Sequence, residues 1–119
     1  LPSQSSMKAA QIRVLGGAMA RVPADATAFA HRDAPLMVIV AAAMFDTPEY
    51  AAHQAWVESL FTAIRHHASG AYVNFVEEGA ARVNDVYPQA TYQRLAQVKR
   101  RYDPDNRFHV NLNISPVQR

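Results

Sequence analysis

Cysteine is absent from the 119 residues, which excludes disulfide frameworks, thiolate metal sites, iron–sulfur clusters and cysteine nucleophiles. A chain without thiols is redox-silent, so its compartment stays open. Net charge is small: twelve Lys plus Arg against ten Asp plus Glu leave +2 with neutral histidines, a weak footprint for nucleic acid. No apolar run approaches the ~20 residues of a membrane span. The longest is Leu36 to Phe45, and Leu1 to Met7 has no charged segment leading into an apolar stretch of the signal-peptide kind. Neither nucleic acid nor a membrane is therefore expected as a partner. Glycines number four, and the Gly16-Gly17 pair lacks the spacing of a dinucleotide fingerprint. No Walker loop, Gly-x-Ser-x-Gly elbow, His-Glu-x-x-His motif or internal repeat is present.

What is there folds. Half the residues are hydrophobic and 18% are charged, far from the composition of disordered chains. A single domain of this length buries about two-thirds of its unfolded surface. Residues 1–76 read as a sheet with a long helix, and 77–119 as helices with a tail. Strands are expected at Ile12 to Ala18, Thr27 to His31 and Leu36 to Phe45, each bounded by turn residues. The continuously apolar Leu36-Met37-Val38-Ile39-Val40 suits a central strand. The period then changes. Thr47 is a good N-cap and Pro48 fits the first helical position, and Trp56, Val57, Leu60, Phe61 and Ile64 form one apolar stripe. A helix from about Pro48 to His67 follows, on the order of 30 Å long.

Beyond Ser69-Gly70, Ala71 to Val76 alternates as a short strand with Tyr72, Asn74 and Val76 on one face. Glu77 to Val86 and Thr91 to Tyr102 read as helices, the first stopped by Pro88. Asp103-Pro104-Asp105-Asn106 is a turn. Phe108 to Ile114 then alternates strictly, with His109, Asn111 and Asn113 opposite the apolar face.

Chemistry is harder to place. The adjacent His66 and His67 diverge on a helix, and no carboxylate stands at ligand spacing from a histidine, so a metal is not expected. Lys99-Arg100-Arg101 reads as a solvated helix end. At Tyr72 and Asn74 two readings stand. Period two sets a phenol and an amide side by side as one titratable group and one polar anchor. Alternatively Tyr72 is core and Asn74 a turn former. Asn111 and Asn113 pose the same choice between a polar ligand and water.

Taken together, four blocks resemble the C-terminal, BBE-type region of the berberine-bridge-enzyme-like FAD-linked oxidoreductases. They are Leu15-Gly16-Gly17-Ala18 with Arg21-Val22-Pro23; Thr27-Ala28-Phe29-Ala30-His31-Arg32; Tyr72-Val73-Asn74-Phe75; and Tyr92-Gln93-Arg94-Leu95 through Lys99 to Phe108 and on to Asn111-Leu112-Asn113-Ile114. The last is the most specific, and the four cover nearly the whole chain in the family's order. The resemblance implies FAD held mainly by an N-terminal portion absent from this chain, which fits a sequence that begins with Leu rather than Met. It implies Tyr72 as the base that takes a proton from substrate, Asn74 as a contact on the flavin side, and Asn111 and Asn113 as residues near the cofactor. A phenol ordinarily titrates at about pH 10, so a phenolic base needs a nearby positive charge or donor. His31 and Arg32 are the candidates. One departure is Ala41-Ala42-Ala43-Met44-Phe45, where relatives often carry a bulkier or more polar strand facing the substrate.

The expected fold is α+β, an antiparallel sheet of three to four strands packed against a long helix, followed by two short helices and an extended C-terminal tail. The expected function is the C-terminal part of an FAD-dependent oxidase or dehydrogenase of an alcohol- or amine-type substrate, inactive as an isolated chain. Its partners are the FAD domain of the same or another chain, a small-molecule substrate and, further, a second copy of itself. The alternative is a stand-alone, non-catalytic binding or self-association module.

Overall fold

A computed structural model describes residues 8–42, 50–76 and 82–117. The fold is α+β, and it divides into two compact units. The first comprises Leu1–Leu15 with Ala34–Ala68, the second Gly16–Asp33 with Ser69–Arg119.

In the first unit, strand β1 (Lys8–Val14) pairs antiparallel with β2 (Leu36–Ala42), the register running from Lys8 opposite Ala42 to Val14 opposite Leu36. Leu15 N–H donates to the Pro35 carbonyl at 2.8 Å and extends the ladder by one bond. β1 begins and ends earlier than the expected Ile12 to Ala18. Gly16 and Gly17 are the reason: they lie at φ 125° and 61°, a conformation that ends a strand and suits residues without a Cβ. The apolar run expected as a strand to Phe45 is extended to Ala42, and Ala43-Met44-Phe45 lie outside the described residues.

Helix α1 (Tyr50–Ile64) packs against β2, and the Lys8 ammonium stands 5.7 Å from the centre of the Trp56 ring. The stripe residues Trp56, Val57, Leu60, Phe61 and Ile64 are all half-buried. The α-helical part ends at Ile64, before the expected His67. Its last turn tightens into a 3-10 turn at Arg65–His67, a common way for a helix to end. Thr47 and Pro48, read as its start, lie outside the described residues.

The second unit is mostly irregular chain gathered around two helices, α2 (Val83–Val86) and α3 (Gln89–Tyr102). α3 matches the expected Thr91 to Tyr102 with two residues added at its start. Pro88 precedes it and its carbonyl accepts from Tyr92 N–H at 2.9 Å, so the proline that ends one helix opens the next. Of the helix expected at Glu77 to Val86, Glu77 to Ala81 lie outside the described residues. The most buried apolar side chains are Val86 and Ala96, at 4% and 3% exposure.

Among the described residues the sheet has two strands, against the three to four expected. Thr27 to His31 is a bent loop in which the Thr27 hydroxyl accepts from Phe29 N–H at 3.3 Å. Ala71 to Val76 is also not a strand. Ala71 N–H donates to the Asp85 carbonyl at 2.9 Å instead of to a neighbouring strand, and Val73–Phe75 close a 3-10 turn. β-forming residues make a strand only where a partner strand meets them. The tail is extended in part, but its alternation breaks at Asn111, which lies at φ 63°.

Candidate functional site

The 3-10 turn does what the expected strand was to do, by a different route. Tyr72 enters it extended, at φ −100° and ψ 124°, and the turn carries Asn74 back so that its Nδ2 donates to the Tyr72 hydroxyl oxygen at 2.8 Å. The phenol is half-buried, and Asn74 is exposed. Two aromatic neighbours hold the ring. Phe29 meets it edge-on, with centroids 5.7 Å apart and planes at 89°, and Phe75 lies 5.7 Å away at 54°. Such edge and tilted arrangements are favoured by the ring quadrupoles.

Tyr72 lines a largely apolar pocket of about 190 Å³, together with Ala28, Phe29, His31, Val86 and Tyr87. Burial pushes the Tyr87 phenol up from its ordinary value, because a low-dielectric wall disfavours its charged form. His31 Nε2 sits 3.0 Å from the Asp85 carbonyl oxygen and 3.1 Å from that of Val86. These are the last carbonyls of α2, which need donors from outside the helix.

Arg32 is committed elsewhere. Its Nη1 donates to the Met19 carbonyl at 3.2 Å, its Nη2 to the Thr27 hydroxyl at 2.7 Å, and its guanidinium lies 5.5 Å from the centre of the Phe29 ring. The donor found at the Tyr72 oxygen is therefore Asn74, where His31 or Arg32 was expected. Arg32 acts one step back, on the loop that presents Phe29.

The two tail amides stand apart from this cluster. Asn111 is exposed and Asn113 is half-buried, and the positive φ of Asn111 interrupts the extended chain that was to set them side by side. Neither lines the Tyr72 pocket. Asn113 Oδ1 is buried with no hydrogen-bond partner among the described residues.

The tail leaves α3 through a carboxylate clamp. Asp103 is 8% exposed; its Oδ1 accepts from Arg107 N–H at 2.8 Å, and its Oδ2 from Phe108 N–H at 3.0 Å and from Lys99 Nζ at 2.5 Å. Lys99 Nζ also donates to the Phe108 carbonyl. The Lys99 bond, aided by the two backbone donors, lowers the Asp103 carboxyl to about 2. The run Lys99-Arg100-Arg101 is thus a helix end, with Lys99 tied inward and Arg101 over the Tyr102 ring at 5.3 Å.

Residues 71–115 match the family model described as berberine and berberine-like. An uncharacterised FAD-linked oxidoreductase of Bacillus subtilis is 33% identical over 107 residues, covering 90% of this chain and 24% of that protein. The chain carries the domain of the berberine-bridge-enzyme-like FAD-linked oxidoreductases. Berberine bridge enzyme-like 6 of Arabidopsis thaliana is 32% identical over 126 residues, 91% of this chain and 23% of the relative. The (R)-6-hydroxynicotine oxidase of Paenarthrobacter nicotinovorans is 54% identical over 43 residues, 36% of this chain and 9% of that enzyme. The chain spans about a quarter of the length of the first two relatives. The berberine-like segment takes in Tyr72, Asn74, Asp103, Asn111 and Asn113, whereas Phe29, which packs against the Tyr72 ring, and His31, which lines the same pocket, come from outside it.

Two residues of the site escaped the sequence reading. In the sequence Gly70 marks only the boundary before Ala71, yet a Cβ there would lie 2.0 Å from His31 Cε1, a restriction set by a residue far away in the chain. Asp103 was read as one member of a turn. The Lys99-to-Asp103 spacing of four on a helix was the available signal, and the backbone donors were not legible.

Proposed function

We propose that the chain is the C-terminal, substrate-domain portion of an FAD-dependent oxidoreductase in which an alcohol- or amine-type substrate gives a hydride to the flavin and a proton to Tyr72. In this reading FAD is held mainly by an N-terminal portion of the complete protein. When bound, FAD supplies the acceptor for the hydride's two electrons. The rest is the work of this chain's side chains. The substrate's O–H or N–H bond breaks toward the phenolate oxygen of Tyr72 as its C–H bond is lost, leaving a carbonyl or an imine.

The observation that carries the reading is the Asn74 N–H bonded to the oxygen of a half-buried, pocket-lining phenol. That bond fixes the direction in which the phenolic oxygen faces. Phe29 and Phe75 support the ring, so the oxygen keeps its place. The residues present also suit a flavin. A carboxamide both donates and accepts, which matches a ring edged with N–H and carbonyl groups, and Asn113 Oδ1 is a buried acceptor in want of a donor. Asn74, Asn111 and Asn113 are the residues of this chain assigned to the cofactor.

The test is Tyr72→Phe in the complete protein. Loss of a general base lowers turnover by about 10²- to 10⁴-fold while flavin stays bound. Wild-type turnover would remove Tyr72 from the role.

The sheet bears on a second point. Ile12 and Val14 of β1 are 67% and 84% exposed, and an exposed strand edge is a place where a further strand can pair. In the complete protein we take β1 and β2 to belong to an antiparallel sheet of three or four strands. The same exposed face favours the alternative of a non-catalytic self-association module. A complete protein that is colourless and oligomeric would support that alternative, and a flavin absorption spectrum would contradict it.

A further inference from the structure

We propose that His31 is a positioning residue for Tyr72: its ring, seated against Gly70 and bonded to the end of α2, fixes the segment that presents the phenol. Three observations converge. The ring lies where a side chain at Gly70 would be, with Cε1, Nε2 and Nδ1 at 2.0, 2.5 and 2.6 Å from the Cβ position. Its Nε2 reaches the carbonyl oxygens of Asp85 and Val86 at 3.0 and 3.1 Å. Carbonyls only accept, so Nε2 carries the hydrogen. The third observation is that the Asp85 carbonyl also accepts from Ala71 N–H at 2.9 Å.

One carbonyl is thus shared by the histidine and by the residue before Tyr72. Gly70 is held by contact with the ring, Ala71 by the carbonyl the ring also holds, and Tyr72 is the next residue, where the 3-10 turn begins. His31 and Tyr72 also line the same pocket. No protein bond joins the His31 ring to the Tyr72 hydroxyl among the described residues, so the histidine acts on the phenol through the backbone. The inference rests on Tyr72 being the base. A reacting group misplaced by about 1 Å can cost on the order of 10²-fold in rate, so releasing this clamp is costly without removing any reacting atom.

The experiment compares His31→Ala and His31→Gln in the complete, flavin-loaded protein. Two readouts are taken: kcat with KM, and amide hydrogen exchange of peptides covering residues 70–76. In His31→Ala, kcat falls by about 10- to 100-fold with KM held, and exchange over 70–76 rises. In His31→Gln, whose terminal amide can donate to the same carbonyls, both return most of the way to wild type. If His31→Ala does not fold, His31→Asn, whose amide stops short of both carbonyls, takes its place. Unchanged exchange over 70–76 overturns the inference, as does a glutamine variant no better than alanine in both readouts. Exchange reads the clamp independently of the reaction, so its failure is separate from that of the base reading, which falls on wild-type turnover in Tyr72→Phe.

Discussion

Gly70→Ala forces a choice between a methyl group and the His31 ring. The added carbon would sit 2.0 Å from His31 Cε1, whereas non-bonded carbons settle about 3.5–4.0 Å apart, so the ring must retreat by roughly 1.5 Å or more. A retreat of that size stretches the 3.0 and 3.1 Å contacts from Nε2 to the Asp85 and Val86 carbonyls beyond hydrogen-bond reach. The single Nε2 hydrogen is shared between the two carbonyls, and this shared bond contributes about 0.5–1.5 kcal/mol. Against this, Gly70 does not have a positive φ, and alanine returns about 0.4–1 kcal/mol by restricting the unfolded chain. The net expectation runs from near neutrality to a loss of about 1 kcal/mol. Equilibrium urea unfolding followed by circular dichroism measures it. The sharper version adds His31→Ala, since without the ring the three atoms that crowd the new methyl most closely are gone and Gly70→Ala costs less than in the wild-type background. If Gly70→Ala stabilises the wild-type background as much as the His31→Ala background, the steric reasoning is wrong.

Asp103 predicts an acid-sensitive window. Its carboxyl, held chiefly by the Lys99 hydrogen bond, titrates at about 2 in the folded chain, below the ordinary value of about 3.9. The unfolded chain takes up the proton first as pH falls, so the stabilisation is complete above about pH 4 and is lost as pH falls toward 2. Asp103→Asn should flatten that part of a stability-against-pH curve; an unchanged slope would show that the clamp is not the source. Val86, 4% exposed, loses two buried methyl groups in Val86→Ala, at a cost on the order of 2 kcal/mol. Calorimetry that finds no loss of thermal stability would contradict its place in the core.

Sequence served best where local chemistry decides the outcome. α3 was legible because its apolar period runs between Pro88, which opens it, and Asp103, which ends it. β2 was legible as an apolar run. Reading failed where a distant partner decides. Ala71 to Val76 has the composition of a strand, but its backbone bonds to Asp85, through Ala71 N–H, and to itself, and no alternation of residue types announces a missing neighbour. The juxtaposition of Tyr72 with Asn74 survived that error, because a 3-10 turn also brings the two side chains together. The tail alternates in its letters but not in space, since the left-handed Asn111 reverses the pattern. Nor does anything near Gly70 or His31 in the chain reveal that each excludes a side chain from the other's place.

The central claim is that Tyr72 takes the substrate's proton, and rapid mixing of the complete protein with its substrate in the absence of oxygen tests it most directly. Flavin absorbance then reports the first reduction alone, free of product release. The account predicts that Tyr72→Phe bleaches about 10²- to 10⁴-fold more slowly than wild type with the same flavin content. Bleaching at the wild-type rate would contradict it.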